Sequence, residues 1–201
     1  MTSTSQSVIH RPDVSKCPRC LLLQRVCLCA EIPSVASRTH VVIVRHHLEA
    51  HRSSNSGRLA HFALPNSEIV DHGGIGGPAV LSRLDGAWLL YPEGAVTEVP
   101  PDPPPRQLVV LDATWSQARR MYRKISALRG LPMLRLAEAP MPVARMRKSP
   151  GPGRVSTIEA IARALRLLEG DEVAAPLEQL FELAVQRSRA AGTRGPPLRG
   201  S

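Results

Sequence analysis

Short runs of β-branched and leucine residues recur along the chain and predict the strands of a parallel sheet. Continuous apolar runs of this length are typical of strands that are buried on both faces. The predicted strands cover residues 39–45, 67–70, 87–91, 107–111 and 132–136. Helical spacing predicts helices over residues 115–128, 156–168 and 175–187, and a loop that turns into a helix over residues 53–63. Strands that alternate with helices indicate an α/β fold with a mostly parallel sheet.

The length of 201 residues suits one domain with a small appendage. We predict disordered ends at residues 1–16 and 190–201, a cysteine-rich segment at residues 17–36 and the α/β domain at residues 37–189. No apolar run approaches the length of a membrane span, and residues 1–16 lack the apolar stretch of a signal peptide. The sequence therefore predicts a cytoplasmic protein with no membrane partner. Its oligomeric state stays open, with a monomer preferred.

All four cysteines lie within thirteen residues, at Cys17, Cys20, Cys27 and Cys29. In a reducing compartment such thiols are better interpreted as metal ligands than as disulfides. The Cys-x2-Cys spacing is the usual half of a tetrahedral Zn²⁺ site, and four thiolates leave no open coordination position. The cluster therefore predicts a structural zinc site. An iron–sulfur cluster and four unliganded thiols remain as alternatives.

Positive charge is concentrated in the second half of the chain. The net charge is +9, and residues 119–166 contain 12 basic and 2 acidic side chains. A polyanion such as RNA or DNA is the natural partner for such a surface, although a cationic surface without a partner is the alternative. Aromatic residues make up only 3% of the chain, which argues against a protein that stacks bases on rows of rings.

Asp112 directly follows a predicted strand and precedes a predicted helix. In parallel sheets, ligands bind outside the carboxyl ends of the strands, so this carboxylate is well placed to meet a ligand. Residues 114–117 and 156–159 both fit the capping-box pattern at a helix start. Helix N-termini also favour anions, such as the carboxylate of an amino-acid-like ligand. Capping alone is the alternative explanation of these polar residues, as core packing is for Trp115.

Residues 108–119, which read LVVLDATWSQAR, resemble the signature of the DTW-domain family. Further stretches match that family in the same order: residues 17–29, 46–60, 90–94, 147–148 and 156–160. The similarity covers about residues 15–187. Each motif is short, and it is their shared order that makes the match specific.

The resemblance implies a SPOUT-like α/β domain with a C-terminal knot that binds S-adenosylmethionine. It implies a transferase that moves the 3-amino-3-carboxypropyl group of this donor to N3 of a tRNA uridine and releases 5′-methylthioadenosine. Residues 37–189 would be the catalytic domain, with Asp112 as the general base.

The resemblance and the strand-end geometry together predict two sets of binding residues. The donor is expected to contact Leu90, Tyr91, Pro92, Glu93, Leu111, Asp112, Thr114, Trp115, Ser156, Thr157 and Glu159. The tRNA is expected to contact Asn55, Arg58, Arg119, Arg123, Arg145, Arg147 and Lys148.

Two other functions are compatible with the pattern. One is a SPOUT-type RNA methyltransferase that uses the same donor. The other is a zinc-stabilised RNA-binding protein without catalysis. A carboxylate at the strand end argues against a pure binder, because Asp112 would repel phosphate there.

Overall fold

The computed structural model describes residues 15–137 and 155–192. Within them, five strands form one sheet in the order β2-β1-β4-β3-β5, and every strand pair is parallel. The strands are β1 (His40–His46), β2 (Ser67–His72), β3 (Ala87–Leu90), β4 (Gln107–Asp112) and β5 (Met133–Leu134). The predicted α/β class with a parallel sheet is confirmed.

Four α-helices cover the two faces of the sheet. They are α1 (Ser56–Ala63), α2 (Trp115–Lys124), α3 (Thr157–Glu169) and α4 (Asp171–Ala190). Alternate residues of a strand point to opposite faces. Val41 and Ile43 of β1 therefore pack with α1, α3 and α4, whereas Val42 and Val44 pack with α2. Both faces are buried, which explains why the strands read as continuous apolar runs.

Two helices differ in length from the prediction. Helix α2 ends at Lys124 because Ile125 adopts an extended conformation, and a 3-10 turn at Ser126–Leu128 follows. Ile125 and Leu128 remain buried against the sheet despite this break in the helix. Helix α4 begins at Asp171, before the predicted start at residue 175. Gly170, with a φ of 101°, ends α3 and lets the next helix begin at once.

The cysteine-rich segment packs directly on the main core. Cys20, Leu22 and Leu28 are buried in the same cluster as α3 and α4. Arg187 of α4 donates a hydrogen bond to the carbonyl of Cys27 at 2.6 Å. The segment is therefore continuous with the α/β domain and depends on α4 for its packing.

Two predictions concern parts of the chain that the structure describes little or not at all. Of the predicted disordered ends, only residues 15–16 and 190–192 are described. The knot stays a prediction, because residues 138–154 between β5 and α3 lie outside the described residues. Among the helices that are described, none has the length and apolarity required to span a membrane.

Candidate active site

A cavity of about 290 Å³ lies at the carboxyl ends of β3 and β4, between the first turns of α2 and α3. We call it the β3–β4 cavity. Seven of the predicted donor-binding residues line it: Leu90, Tyr91, Pro92, Leu111, Trp115, Ser156 and Thr157. Four others are not among its lining residues: Glu93, Asp112, Thr114 and Glu159. The carboxyl edge of the sheet thus brings together most of the predicted set.

The capping boxes explain why two of these four residues do not line the cavity. Thr114 caps α2 together with Gln117, and Ser156 caps α3 together with Glu159; both boxes are complete. The side chain of Glu159 accepts from the backbone N–H of Ser156 at 2.8 Å, which holds it at the helix start. Thr114 and Glu159 therefore shape the cavity from outside by fixing the helices that border it.

Two arginines that the sequence did not single out also line the cavity. Arg135 follows β5 and donates to the carbonyl of Gly94 at 2.7 Å. Arg163 of α3 donates to the carbonyl of Ala137 at 2.6 Å. Helical spacing could have found Arg163, since it lies seven residues after Ser156 and shares its face. Arg135 comes from a distant segment, and no local motif marks it.

Asp112 lies behind the wall of this cavity and joins three elements. Its side chain is buried, with the residue only 2% exposed. Its Oδ2 accepts a hydrogen bond from Asn55 Nδ2 at 2.5 Å, and its Oδ1 accepts one from Thr157 Oγ1 at 2.6 Å. The carboxylate thereby connects the end of β4 to the starts of α1 and α3. Thr157, which donates this hydrogen bond, is itself one of the residues that line the cavity.

The environment of Asp112 makes it more basic than an ordinary aspartate. Burial raises the pKa of its carboxyl group, and the nearby buried Glu49 adds to this effect. The hydrogen bonds from Thr157 and Asn55 and the charge of Arg45 act in the opposite direction but do not cancel it. A carboxyl group with a raised pKa is better suited to accept a proton near neutral pH.

The prediction that Asn55 and Arg58 contact RNA does not fit their positions. Asn55 is 1% exposed and caps α1, because its Oδ1 accepts from the backbone N–H of Arg58 at 2.8 Å. Arg58 is 6% exposed, and its guanidinium donates to the carbonyls of Arg52 and Ala50. Burial and internal partners keep both side chains from reaching a phosphate. They support Asp112 and the loop before α1 instead.

The other predicted RNA-binding residues fall into two groups. Arg119 and Arg123 are exposed on α2, which carries four cationic side chains and no acidic one. Arg145, Arg147 and Lys148 lie outside the described residues.

Gly57 lets α1 approach Asp112 closely. A Cβ atom added at Gly57 would lie 2.7 Å from both Cγ and Oδ2 of Asp112. Helix propensity alone would make Gly57→Ala stabilising by about 1 kcal/mol. We expect the opposite sign, a loss of about 1–3 kcal/mol in the free energy of unfolding, because the added methyl group forces Asp112 out of place. Denaturant unfolding measures this change.

Gly130→Ala is the matched control for that prediction. A Cβ atom at Gly130 meets no other atom within 4 Å, so this variant should show no steric loss. A Gly57→Ala protein that is more stable than the wild type would contradict the tight contact between α1 and Asp112.

The four cysteines form one compact group in the N-terminal segment. Their sulfur atoms all lie within 4.8 Å of one another, and the Cys17–Cys29 and Cys20–Cys27 pairs are 3.7 Å apart. A tetrahedral ion with sulfur ligands at ~2.3 Å places those sulfurs about 3.8 Å apart. The observed spacing fits such an ion and is too long for disulfides.

Thiol acidity within the group is uneven. The backbone N–H of Cys20 is the main cause that lowers the pKa of Cys17 to about 6. Burial raises the pKa of Cys29 to about 12. A bound cation would favour the thiolate at every position, so ion binding would release the protons of these thiols.

Comparison with known protein families shows to which family the chain belongs. A family model described as the DTW domain matches residues 14–189, which include the cysteine group and every described residue of the cavity. The chain belongs to the DTW domain family. The family membership predicted from residues 108–119 is confirmed.

Two relatives of this DTW domain protein carry the name tRNA-uridine aminocarboxypropyltransferase 2. The protein of Drosophila melanogaster is 31% identical over 168 residues, which cover 77% of this chain and 67% of the relative. The protein of Mus musculus is 29% identical over 176 residues, covering 81% of this chain and 59% of the relative. The chain thus spans about three fifths to two thirds of the length of these relatives.

Among solved structures, the SAM-dependent rRNA:acp-transferase Tsr3 from Vulcanisaeta distributa shares 19% identity with the chain. The superposition covers 76% of this chain and 79% of that one, with a TM-score of 0.48.

Proposed function

We propose that this DTW domain protein transfers the 3-amino-3-carboxypropyl group of S-adenosylmethionine to N3 of a uridine in tRNA. The observation that carries the proposal is the hydrogen bond between Asp112 and Thr157. It links a buried carboxylate of raised pKa to the hydroxyl on the wall of the β3–β4 cavity. The names of the two relatives support the choice of reaction.

The proposed chemistry needs one proton removed and one bond exchanged. Uridine N3 forms a bond to Cγ of the donor while the Cγ–S bond breaks, and its electron pair neutralises the sulfonium of the departing 5′-methylthioadenosine. The N3 proton passes to Thr157 Oγ1 while the Thr157 proton passes to Asp112 Oδ1, 2.6 Å away. In this scheme Asp112 is the final proton acceptor, and it acts through Thr157 because it is 2% exposed.

The cavity also contains the charges that could orient the donor. Arg135 and Arg163 are its cationic lining residues, and we propose that they bind the donor carboxylate. Positioning of this kind would align Cγ, rather than the methyl group, with the attacking nitrogen. Alignment of reacting atoms supplies much of the rate enhancement in such displacements.

Three further assignments complete the proposal. The four cysteines hold a structural Zn²⁺ ion, supported by their sulfur–sulfur spacing. Arg119 and Arg123, with Arg145, Arg147 and Lys148 outside the described residues, contact tRNA phosphates. The location is cytoplasmic, where tRNA and reduced thiols occur together.

A single incubation tests the reaction. The purified protein is mixed with unmodified tRNA and S-adenosylmethionine, and both the nucleosides and the donor product are identified by mass spectrometry. We expect aminocarboxypropyl-uridine and 5′-methylthioadenosine in equal amounts. S-adenosylhomocysteine with a methylated nucleoside would replace the proposal with methyl transfer. Absence of both products would reject it.

A further inference from the structure

A second cavity of about 290 Å³ lies at the carboxyl ends of β1 and β2, on the other side of α2. We call it the β1–β2 cavity. Trp115 and Ala118 of α2 line the β3–β4 cavity, whereas Arg120 and Lys124 line this one. Helix α2 therefore separates two cavities that open at the same edge of the sheet.

The histidines of the β1–β2 cavity are held in one orientation by the backbone. His46 and His72 are neighbours in the parallel register of β1 and β2. Nδ1 of His46 accepts from the backbone N–H of Leu48 at 3.3 Å, and Nδ1 of His72 accepts from that of Ala79 at 3.2 Å. Burial lowers the pKa of both rings, so each is neutral at neutral pH and carries its only N–H at Nε2.

The remaining polar groups of this cavity are also donors. Oε1 of Gln117 accepts two hydrogen bonds from Thr114, which leaves its amide nitrogen to donate. Arg120 and Lys124 are exposed and positively charged. Among the described residues that line the cavity, none is acidic. Two imidazoles, an amide, a guanidinium and an ammonium group thus present only donors, which is the chemistry that an oxyanion requires.

A metal ion is a poor occupant of the same cavity. A histidine ligand needs a free nitrogen lone pair, and both Nδ1 atoms already accept backbone hydrogen bonds. Arg120 and Lys124 would also repel a cation. The donor set therefore selects an anion.

We propose that the β1–β2 cavity binds a backbone phosphate of the RNA whose uridine enters the β3–β4 cavity. The proposal rests on the proposed function and names a contact point for its RNA substrate. Arg119 and Arg123 lie exposed on the same helix and extend its positive charge. A polynucleotide that crosses α2 can place one nucleotide in the β3–β4 cavity and another of its phosphates in the β1–β2 cavity.

The test removes both charges and keeps an unbranched apolar stem at each position. An Arg120→Met, Lys124→Met double variant is compared with Arg129→Met, an exposed cation that lines neither cavity. Binding of unmodified tRNA is measured at several salt concentrations, and binding of S-adenosylmethionine is measured by calorimetry. Thermal unfolding checks that all variants fold, as expected for exposed side chains.

The double variant should lose about tenfold in tRNA affinity near 0.1 M salt, since the loss of one phosphate contact accounts for about that much there. The slope of log affinity against log salt should become shallower by about 0.7–0.9. Affinity for S-adenosylmethionine should not change, and Arg129→Met should bind tRNA like the wild type. An unchanged slope, or an equal loss in Arg129→Met, would overturn the proposal.

The outcome separates this proposal from the proposed function. If the wild type produces methylthioadenosine with tRNA but the double variant keeps the wild-type salt slope, the phosphate site is wrong and the function stands. If the slope falls as expected but no aminocarboxypropyl-uridine forms, the phosphate site stands and the function is wrong. A wild type that does not bind tRNA would overturn both.

Discussion

Replacing Asp112 with asparagine should lower turnover on tRNA by roughly 10²–10⁴-fold, the usual contribution of a general base. The domain should still fold. An asparagine at this position can accept from Asn55 Nδ2 through its oxygen and donate to Thr157 Oγ1 through its nitrogen. The substitution therefore keeps the connections among β4, α1 and α3 but removes the proton acceptor. Single-turnover kinetics with saturating tRNA and donor measures the effect.

The thermal stability of Asp112→Asn should stay equal to or rise above that of the wild type, although its turnover falls. The pKa of Asp112 is raised in the folded protein, so the fold favours the protonated, neutral carboxyl group. That stabilisation is complete below the unfolded-state pKa of ~3.9 and is lost as the pH rises through the folded-state pKa. At neutral pH the buried charge costs stability, and Asp112→Asn should unfold at a temperature equal to or above that of the wild type. The difference should vanish in acid.

Substitutions of Thr157 provide the matched controls. Thr157→Ser keeps the hydroxyl and should retain most of the turnover, whereas Thr157→Val keeps the shape and should lose it. In the wild type and Thr157→Ser, activity should rise with pH through the raised pKa of Asp112, because the ionised form accepts the proton. Near-normal turnover in Asp112→Asn would rule out the proton route. Loss of activity together with the thermal transition would show that the carboxylate is structural.

Local sequence signals predicted the strands and the two capping boxes well. Each capping box depends on residues only three positions apart, and the strands depend on apolar runs that need no knowledge of their partners. Asp112 was also recognisable, because it combines a strand end with a helix start.

The environment of Asp112 could not be predicted in the same way. Asn55 reaches Asp112 across 57 positions of sequence, and Thr157 reaches it across 45. The contact with α1 exists only because Gly57 has no Cβ atom. The sequence therefore predicted Asn55 as an RNA contact, whereas the fold makes it a buried partner of the carboxylate.

The charged residues of both cavities show the same limit of prediction from the sequence. Sequence reasoning assigned Arg119 and Arg123 of α2 to the tRNA and gave Arg120 and Lys124 no role. It could not tell that Arg120 and Lys124 share a cavity with two histidines from β1 and β2. Nor could it place Arg135 beside Arg163, because strand order and helix docking decide which segments meet.

Removal of the metal ion that we propose for the cysteine group should destabilise the whole domain, not only its N-terminal segment. Leu22 and Leu28 are buried in the same core as α3 and α4, and Arg187 of α4 holds the carbonyl of Cys27. Loss of a structural ion would release these contacts together. Structural zinc sites contribute apparent binding energies of ~10–16 kcal/mol in small peptides. We expect a strong chelator to lower the unfolding temperature by on the order of 10 °C, equivalent to several kcal/mol in a domain of this size.

Cys20→Ser is the matched variant, because it keeps the side-chain size of a buried ligand while removing the thiolate. It should resemble the chelated wild type and show no further response to chelator. Re-addition of Zn²⁺ should restore the unfolding temperature of the wild type only. Elemental analysis should find one zinc ion per chain; iron with visible absorption would instead identify an iron–sulfur cluster. A wild type that contains no metal and ignores the chelator would mean that packing alone holds the four thiols together, even though their sulfur spacing matches a tetrahedral ion.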